Sequence, residues 1–425
     1  MNVDRERLRE DVERNAEFGH VETDEGRGRT NRPGTEANRR ARTFLVERLE
    51  DAGLEVRIDS VGNVVGRWVP ASADPDARPV AAGSHLDSVP EGGIFDGPLG
   101  VYGALEAVRT MRELGIEPER PLVVVSFTEE EGGRFGSGML GSSVAAGRRS
   151  VEEALALEDE EGTTLEDALE GIGFRGEGRL NAAGWDAWFE LHVEQGERLE
   201  SVGVPVGIVT DITGITHCAV TIEGEANHAG ATPMGERTDA LAAASEFVRD
   251  VERAAEETVA SESEGVVATV GSLSVGPNAT NVVPGRVECG VDVRDVDHGV
   301  MDGLVGRARG SLARLERSRG VECALDREFD VEPASMAPRC RTAAREAAKA
   351  DGITAMEMYS GAAHDTMRVA RVTDAGLLFA PSREGISHNP REWTDWDDCA
   401  TATGVLAGAL ARLAGAAPET EDRGS

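Results

Sequence analysis

Lysine is nearly missing from this chain. Of its 44 basic residues only Lys349 is a lysine, and the rest are arginines, set against 78 aspartates and glutamates for a net charge of −34. No basic stripe survives that balance, which excludes a nucleic-acid partner, because phosphate binding needs clustered positive charge. The acids run along the whole chain, not in one tail, and this reads as adaptation to a salt-loaded interior. At molar salt the Debye length falls to about 3 Å and carboxylate repulsion is largely screened. Cysteine is also scarce: Cys218, Cys289, Cys323, Cys340 and Cys399 are scattered, odd in number and without a CxxC pair. That excludes a disulfide framework and a cysteine zinc cluster and fits a reducing compartment. No apolar run reaches membrane-spanning length, and the charged start MNVDRERLREDVERN is no signal peptide. The expected location is the cytoplasm.

What remains is a globular chain of 425 residues, long enough for two or three domains. Residues 36 to 53 read as an amphipathic helix ending at a glycine, and LEVRIDSVGNVVGRWV as two strands turning at Gly62-Asn63. PVAAGSHLDS, PLVVVSFTEEEGG and WDAWFELHVEQG are apolar strands that each end in histidine or acids, with helical segments between them. Such alternation implies an α/β layer with a mostly parallel sheet, in which chemistry collects at the carboxyl ends of the strands. The texture changes near residue 213, where a β-α-β-β-α-β order resembles the split ferredoxin-like pattern. The expected domains are 1–212 with 331–414, an inserted 213–330, and a disordered tail over 415–425.

The chemistry-bearing residues cluster in the same places. Five of eight histidines (His85, His192, His228, His364 and His388) sit in glycine- or acid-rich turns, whereas His20, His217 and His298 have no such setting. HLDSVPEGGIFDG alone could be a surface loop. Two neighbouring divalent metals, however, need N/O ligands and a carboxylate shared across about 3.5–4 Å. His85 and His192 could serve one metal and His388 the other, with Asp96 between them. Asp87 is placed to accept from the His85 ring and fix its tautomer. The Glu129-Glu130-Glu131 run could supply both a ligand and a free carboxylate acting as general base.

Taken together and in order, HLDSVPEGGIFDGPLGV, FTEEEGGRFGSGMLGS, ELHVEQG, HAGATPM, PNATNVVPG, DVRDVD, GAAHDTM and GISHNPREW resemble the amidase/hydantoinase–carbamoylase group of the M20 metallopeptidase family, from about residue 25 to 412. That group contains N-carbamoyl-L-amino acid hydrolases, β-ureidopropionases and allantoate amidohydrolases. The resemblance implies a dinuclear catalytic domain carrying an inserted dimerisation or lid domain, and hence a homodimer. It implies two divalent ions per subunit: zinc first, with manganese, cobalt or nickel as alternatives. His85, Asp96 and His192 would hold the first and Asp96, Glu131 and His388 the second. Glu130 would be the general base and Glu129 a bystander. Gln195 would face the ureido group, and His228 would meet the oxyanion from the partner subunit. Asn281 and Arg294 would hold a substrate carboxylate, although a salt bridge from Arg294 to Asp292 or Asp295 is the ordinary alternative. His364 would line the pocket. GAAHD in place of the commoner GAGHD, and a poor match around His20, are the departures. The expected reaction is hydrolysis of a ureido C–N bond in a small carboxylate-bearing substrate. A dipeptidase, an N-acyl-amino acid hydrolase or a metal-dependent binding protein are the alternatives.

Overall fold

The computed structural model describes residues 1–136 and 138–416. The part of the expected tail beyond residue 416 lies outside them. The chain divides into two compact units, Met1–Thr210 with Ser335 onward, and Asp211–Ala334. The sequence placed these joints at 212/213 and 330/331. The strand Glu322–Val331 runs through the second of them and carries the joint beyond it.

The first unit is built on a nine-stranded sheet. Its centre is four parallel strands in the order Asp374–Ala380, Ala187–Val193, Val80–His85 and Leu122–Phe127. Val206–Ile212 flanks them antiparallel on one side, and Val64–Trp68 followed by Glu55–Ile58 on the other. The sheet is therefore mixed, and three of its four central parallel strands lead into the motifs. Every residue of Val80–His85, Leu122–Phe127 and Ala187–Val193 is buried, as parallel strands covered on both faces require. Alternate side chains feed two cores. Val80, Ala82, Leu122, Val124, Phe189 and Leu191 pack with the helices Pro98–Glu113 and Trp396–Leu413. Ala81, Val123, Val125 and Phe127 meet Trp185 and Trp188 on the other face. Burying apolar surface on both faces at about 25 cal/mol per Å² fixes this register, because a one-residue slip would exchange the two cores. The same register holds the carboxyl ends of the three motif strands side by side.

The second unit is a four-stranded antiparallel sheet in the order Val267–Gly276, Arg286–Asp295, Gly214–Glu223 and Glu322–Val331. The helices Ala240–Ser261 and His298–Arg319 complete the β-α-β-β-α-β order. Val287, Cys289, Val291 and Val293 alternate into their core, which leaves Asp292 and Arg294 on the other side of the strand. A two-residue ladder pairs Asn227–His228 with Val282–Val283. No helix among the described residues is long and apolar enough to cross a membrane.

Candidate metal centre

His85 closes its strand, and the chain then loops through residues 86–96 before entering the helix Pro98–Glu113. A buried arginine holds that loop from behind. Arg29 donates to the carbonyls of Gly93 (2.9 Å), Leu86 (2.8 Å), Asp87 (3.3 Å) and Asp96 (3.0 Å). Asn31 adds bonds to the Leu86 carbonyl and the Ser88 hydroxyl. Gly97, at φ +82°, turns the chain under the His85 ring, where a Cβ would lie 2.6 Å from Nδ1. A positive φ and no room for a methyl leave glycine as the residue that fits.

Two groups of three ligand atoms result, each drawn within 4.8 Å. In the first, His85 Nε2 and His192 Nε2 stand 3.4 and 3.3 Å from Asp96 Oδ1. In the second, His388 Nε2 stands 3.6 Å from Asp96 Oδ2 and 3.2 Å from Glu131 Oε2. Asp96 thus presents one oxygen to each group. His85 Nδ1 faces the Asp87 carbonyl at 3.2 Å, and His192 Nδ1 faces the Val193 carbonyl at 3.0 Å. A ring that donates from Nδ1 to a carbonyl keeps its Nε2 lone pair for a cation. The Asp87 carboxylate does not make the contact expected of it. Its Oδ1 lies 3.8 Å from the ring while Oδ2 accepts from the Glu131 N–H, because two residues past the strand end the main chain is nearer to the ring than the side chain.

Electrostatics supports a cation here. Burial opposes charge on His85, yet Asp96, Glu130 and Asp87 outweigh it and push the imidazole well above its usual range. His192, likewise buried but facing Asp96, is pushed up to about 9. The Glu131 hydrogen bond raises His388. Rings drawn that far toward protonation sit where positive charge is wanted, and a divalent ion displaces such protons. An imidazole–carboxylate donor set without thiolate suits zinc, manganese, cobalt or nickel.

Glu130 belongs to neither group. Its side chain is 11% exposed, with Oε2 3.8 Å from His85 Nε2, and the burial it has pushes its carboxyl well above the usual range against the pull of His85. Glu129, expected as a bystander, is a strut. At φ +55° its Oε1 accepts from the N–H groups of Arg134 (2.8 Å) and Phe135 (2.7 Å), closing the loop that presents its two neighbours. Gln195 donates to Asp96 Oδ2 (3.2 Å) and Ser387 Oγ (3.3 Å), and its buried Oε1 has no partner among the described residues. His364 packs edge-on against His192 at 4.6 Å and meets Ser360 Oγ at 3.0 Å; burial and His192 push it well below the usual range, so it is neutral.

The remaining predicted residues lie in the second unit. His228 is exposed; its Nδ1 accepts from the N–H groups of Gly230 (3.0 Å) and Ala231 (3.2 Å), so its proton sits on Nε2. The short ladder brings Asn281 beside it, with the Asn281 carbonyl accepting from the Ala229 N–H at 2.9 Å. Arg294, on another strand, pairs with Asp292 through Nε (3.0 Å) and Nη2 (3.2 Å). Asp295 instead takes the Ser263 hydroxyl and the Asp297 N–H. His217 joins Asp292, and His298 joins Asp330, in ordinary ion-pair settings.

Sequence reasoning missed four supporting residues: Arg29, Glu190, Ser387 and Glu392. Glu190 lies buried within WFELHV, bonded to Ser84 Oγ (2.6 Å), Thr366 N–H (3.0 Å) and Thr366 Oγ1 (2.7 Å). An acid inside an apolar run was the available signal. Glu392 accepts from the N–H groups of Phe95 (2.8 Å) and Asp96 (3.1 Å).

The sequence matches the peptidase family M20/M25/M40 over residues 81–412. The chain belongs to this family. Among M20 relatives it is 39% identical over 387 residues to an N-carbamoyl-L-amino-acid amidohydrolase of Paenarthrobacter aurescens, covering 90% of this chain and 92% of that one. It is 37% identical over 365 residues to an allantoate amidohydrolase of Bacillus subtilis, covering 85% and 87%. The crystal structure of an amidase of the hydantoinase/carbamoylase family from Burkholderia multivorans superposes with a TM-score of 0.90 at 38% identity, covering 97% of this chain and 98% of that one.

Proposed function

We propose that the protein is a metal-dependent amidohydrolase that cleaves a C–N bond in the ureido group of an N-carbamoyl-L-amino acid or a similar ureido acid, such as β-ureidopropionate or allantoate. The observation that carries the reading is Asp96, whose two oxygens serve two ligand groups beside a largely buried carboxyl, Glu130, that neither group uses. His85, Asp96 and His192 would hold one divalent ion, and Asp96, Glu131 and His388 a second. Ions held there would acidify water and polarise the substrate carbonyl. Zinc is the first choice, with manganese, cobalt or nickel also suited to the donors.

Glu130 then takes the proton of the attacking water and delivers it to the leaving nitrogen. With Nδ1 taken by two backbone N–H groups, the exposed His228 has its Nε2–H to offer an oxyanion, and it is supplied by the partner subunit of a homodimer. Such a contact contributes about 3 kcal/mol in the transition state. Gln195 Oε1, a buried acceptor without a partner, suits a ureido N–H, which favours a ureide over a dipeptide or N-acyl acid. Asn281 and Arg294 hold the substrate carboxylate, and His364 lines the pocket. A binding protein would have no use for a carboxyl held beside two ligand groups that do not use it. The acid-rich surface suits a salt-loaded cytoplasm.

The test is ammonia release from an N-carbamoyl-L-amino acid, β-ureidopropionate and allantoate in high salt, beside a dipeptide and an N-acetyl amino acid assayed for free amine. One ureido acid should turn over, and chelation should stop it until metal is restored. Turnover confined to the dipeptide or the acetyl compound would replace this reading. No turnover by metal-loaded protein would favour a binding role.

A further inference from the structure

Glu392 lies outside both ligand groups, yet it reaches the centre from two directions. Its Oε1 caps the N–H groups of Phe95 and Asp96 at 2.8 and 3.1 Å, so it grips the main chain of the shared aspartate. Its Oε2 stands 3.2 Å from Ser387 Oγ, and Ser387 donates to Asp96 Oδ2 at 2.7 Å. The one hydroxyl proton is shared between the two carboxylates in a three-centre bond, with the shorter arm to Asp96. Ser387 immediately precedes His388, the imidazole of the second group. One buried side chain therefore ties the loop that carries the shared aspartate to the loop that carries the second imidazole.

The fit is close. Glu392 is 2% exposed, and a Cβ on Gly93 would lie 2.2 Å from its Oε1. Arg29 grips the same stretch from its carbonyl side, at Gly93 and Asp96. The two Asp96 oxygens are held differently. Oδ1 faces the rings of His85 and His192, whereas Oδ2 accepts from both Ser387 and Gln195 before it meets His388. Without the Ser387 bond, Oδ2 would be aimed less firmly at His388, while Oδ1 would keep the two rings that face it.

We propose that Glu392 is a positioning residue that holds Asp96 in its shared orientation, through two backbone N–H groups and the Ser387 hydroxyl, and thereby sets the metal affinity of the second group. This rests on reading Asp96 as the bridge, and it is tested without a ureido substrate.

The experiment is a two-site Zn2+ titration of the full-length protein against a competing chromophoric chelator, with melting curves to give the folded fraction. E392A removes both ends of the tie. It should weaken the second site about 10–100-fold, the usual scale for a partner behind a ligand, and leave the first within about threefold. E392Q keeps an acceptor for the backbone and offers an N–H to Ser387 Oγ, so it should restore both affinities to within about threefold. S387A, which leaves the backbone cap intact, covers the case in which E392A folds poorly; it should weaken the second site in the same direction. Unchanged affinities in E392A, or equal loss at both sites with S387A unaffected, would overturn the proposal. So would a loss in E392Q as large as in E392A, because charge and not position would then be acting. Failure of ureido turnover in wild type, with the selective second-site loss intact, would strike the proposed reaction and leave this tie standing.

Discussion

Replacing Glu130 and Glu131 in turn separates two roles that adjacent identical side chains could otherwise share. Glu131 Oε2 lies 3.2 Å from His388 Nε2 and belongs to the second ligand group; Glu130 Oε2 lies 3.8 Å from His85 Nε2 and belongs to neither. Glu130→Gln keeps size and removes the proton acceptor. A positioned base contributes about 10²–10⁴ in rate, or about 3–5 kcal/mol at 1.36 kcal/mol per decade, and kcat should fall by that much. Metal content should stay near that of wild type, since no ligand atom is lost. Glu131→Gln takes one of three ligand atoms from the second group, so metal should be lost there first. The assay is metal content after gel filtration beside kcat measured over a range of free metal. Excess metal should recover much of the Glu131→Gln activity and none of the Glu130→Gln loss. The reversed pattern, with metal lost from Glu130→Gln and kcat alone from Glu131→Gln, would refute the assignment within the run.

Two further outcomes are expected. Arg294→Lys should lose most of the preference for a ureido acid over its matching amide, at about 2–5 kcal/mol, because an ammonium cannot copy the planar fork; an unchanged acid-to-amide kcat/KM ratio with a lower Tm would leave Arg294 a structural role, of which its bond to Asp292 is part. Tm should rise from low to molar KCl. Salt weakens exposed surface pairs such as Arg314–Glu246 and Arg286–Glu223, which hold little stability, but it also screens a net charge of −34, which is the larger effect; a flat or falling profile would remove the salt-adaptation reading.

The strands were legible because buried parallel strands leave apolar runs, and the centre was legible because His85, the Glu129–Glu131 run and His192 close three of them. The inserted unit declared itself through alternation, seen again in the inward Val287, Cys289, Val291 and Val293. What stayed hidden was the support behind the ligands. Arg29 sits 56 positions before His85 in a stretch without periodicity, and its partners are backbone carbonyls, which look the same in any sequence. Glu392 and Ser387 lay inside a quoted motif, but their bonds to Asp96 span almost 300 residues of chain. Asp87 shows the same limit at short range, since spacing put it beside the ring without saying whether side chain or main chain would arrive. Glu129 differs from its neighbours only by a backbone angle of +55°.

Arg29 also bears on how an ion enters. Its guanidinium, buried among four carbonyls, holds the 86–96 loop by bonds that involve no ligand atom. Burial favours loss of its proton, but the nearby Asp96, Glu392, Glu131 and Asp87 oppose this. The arginine is thus a fixed internal cation that balances part of the acid charge from the rear. Its hold on the loop uses no metal-ligand atom, so an ion entering the centre would meet a loop braced independently of it, unlike small zinc domains that fold only around their ion.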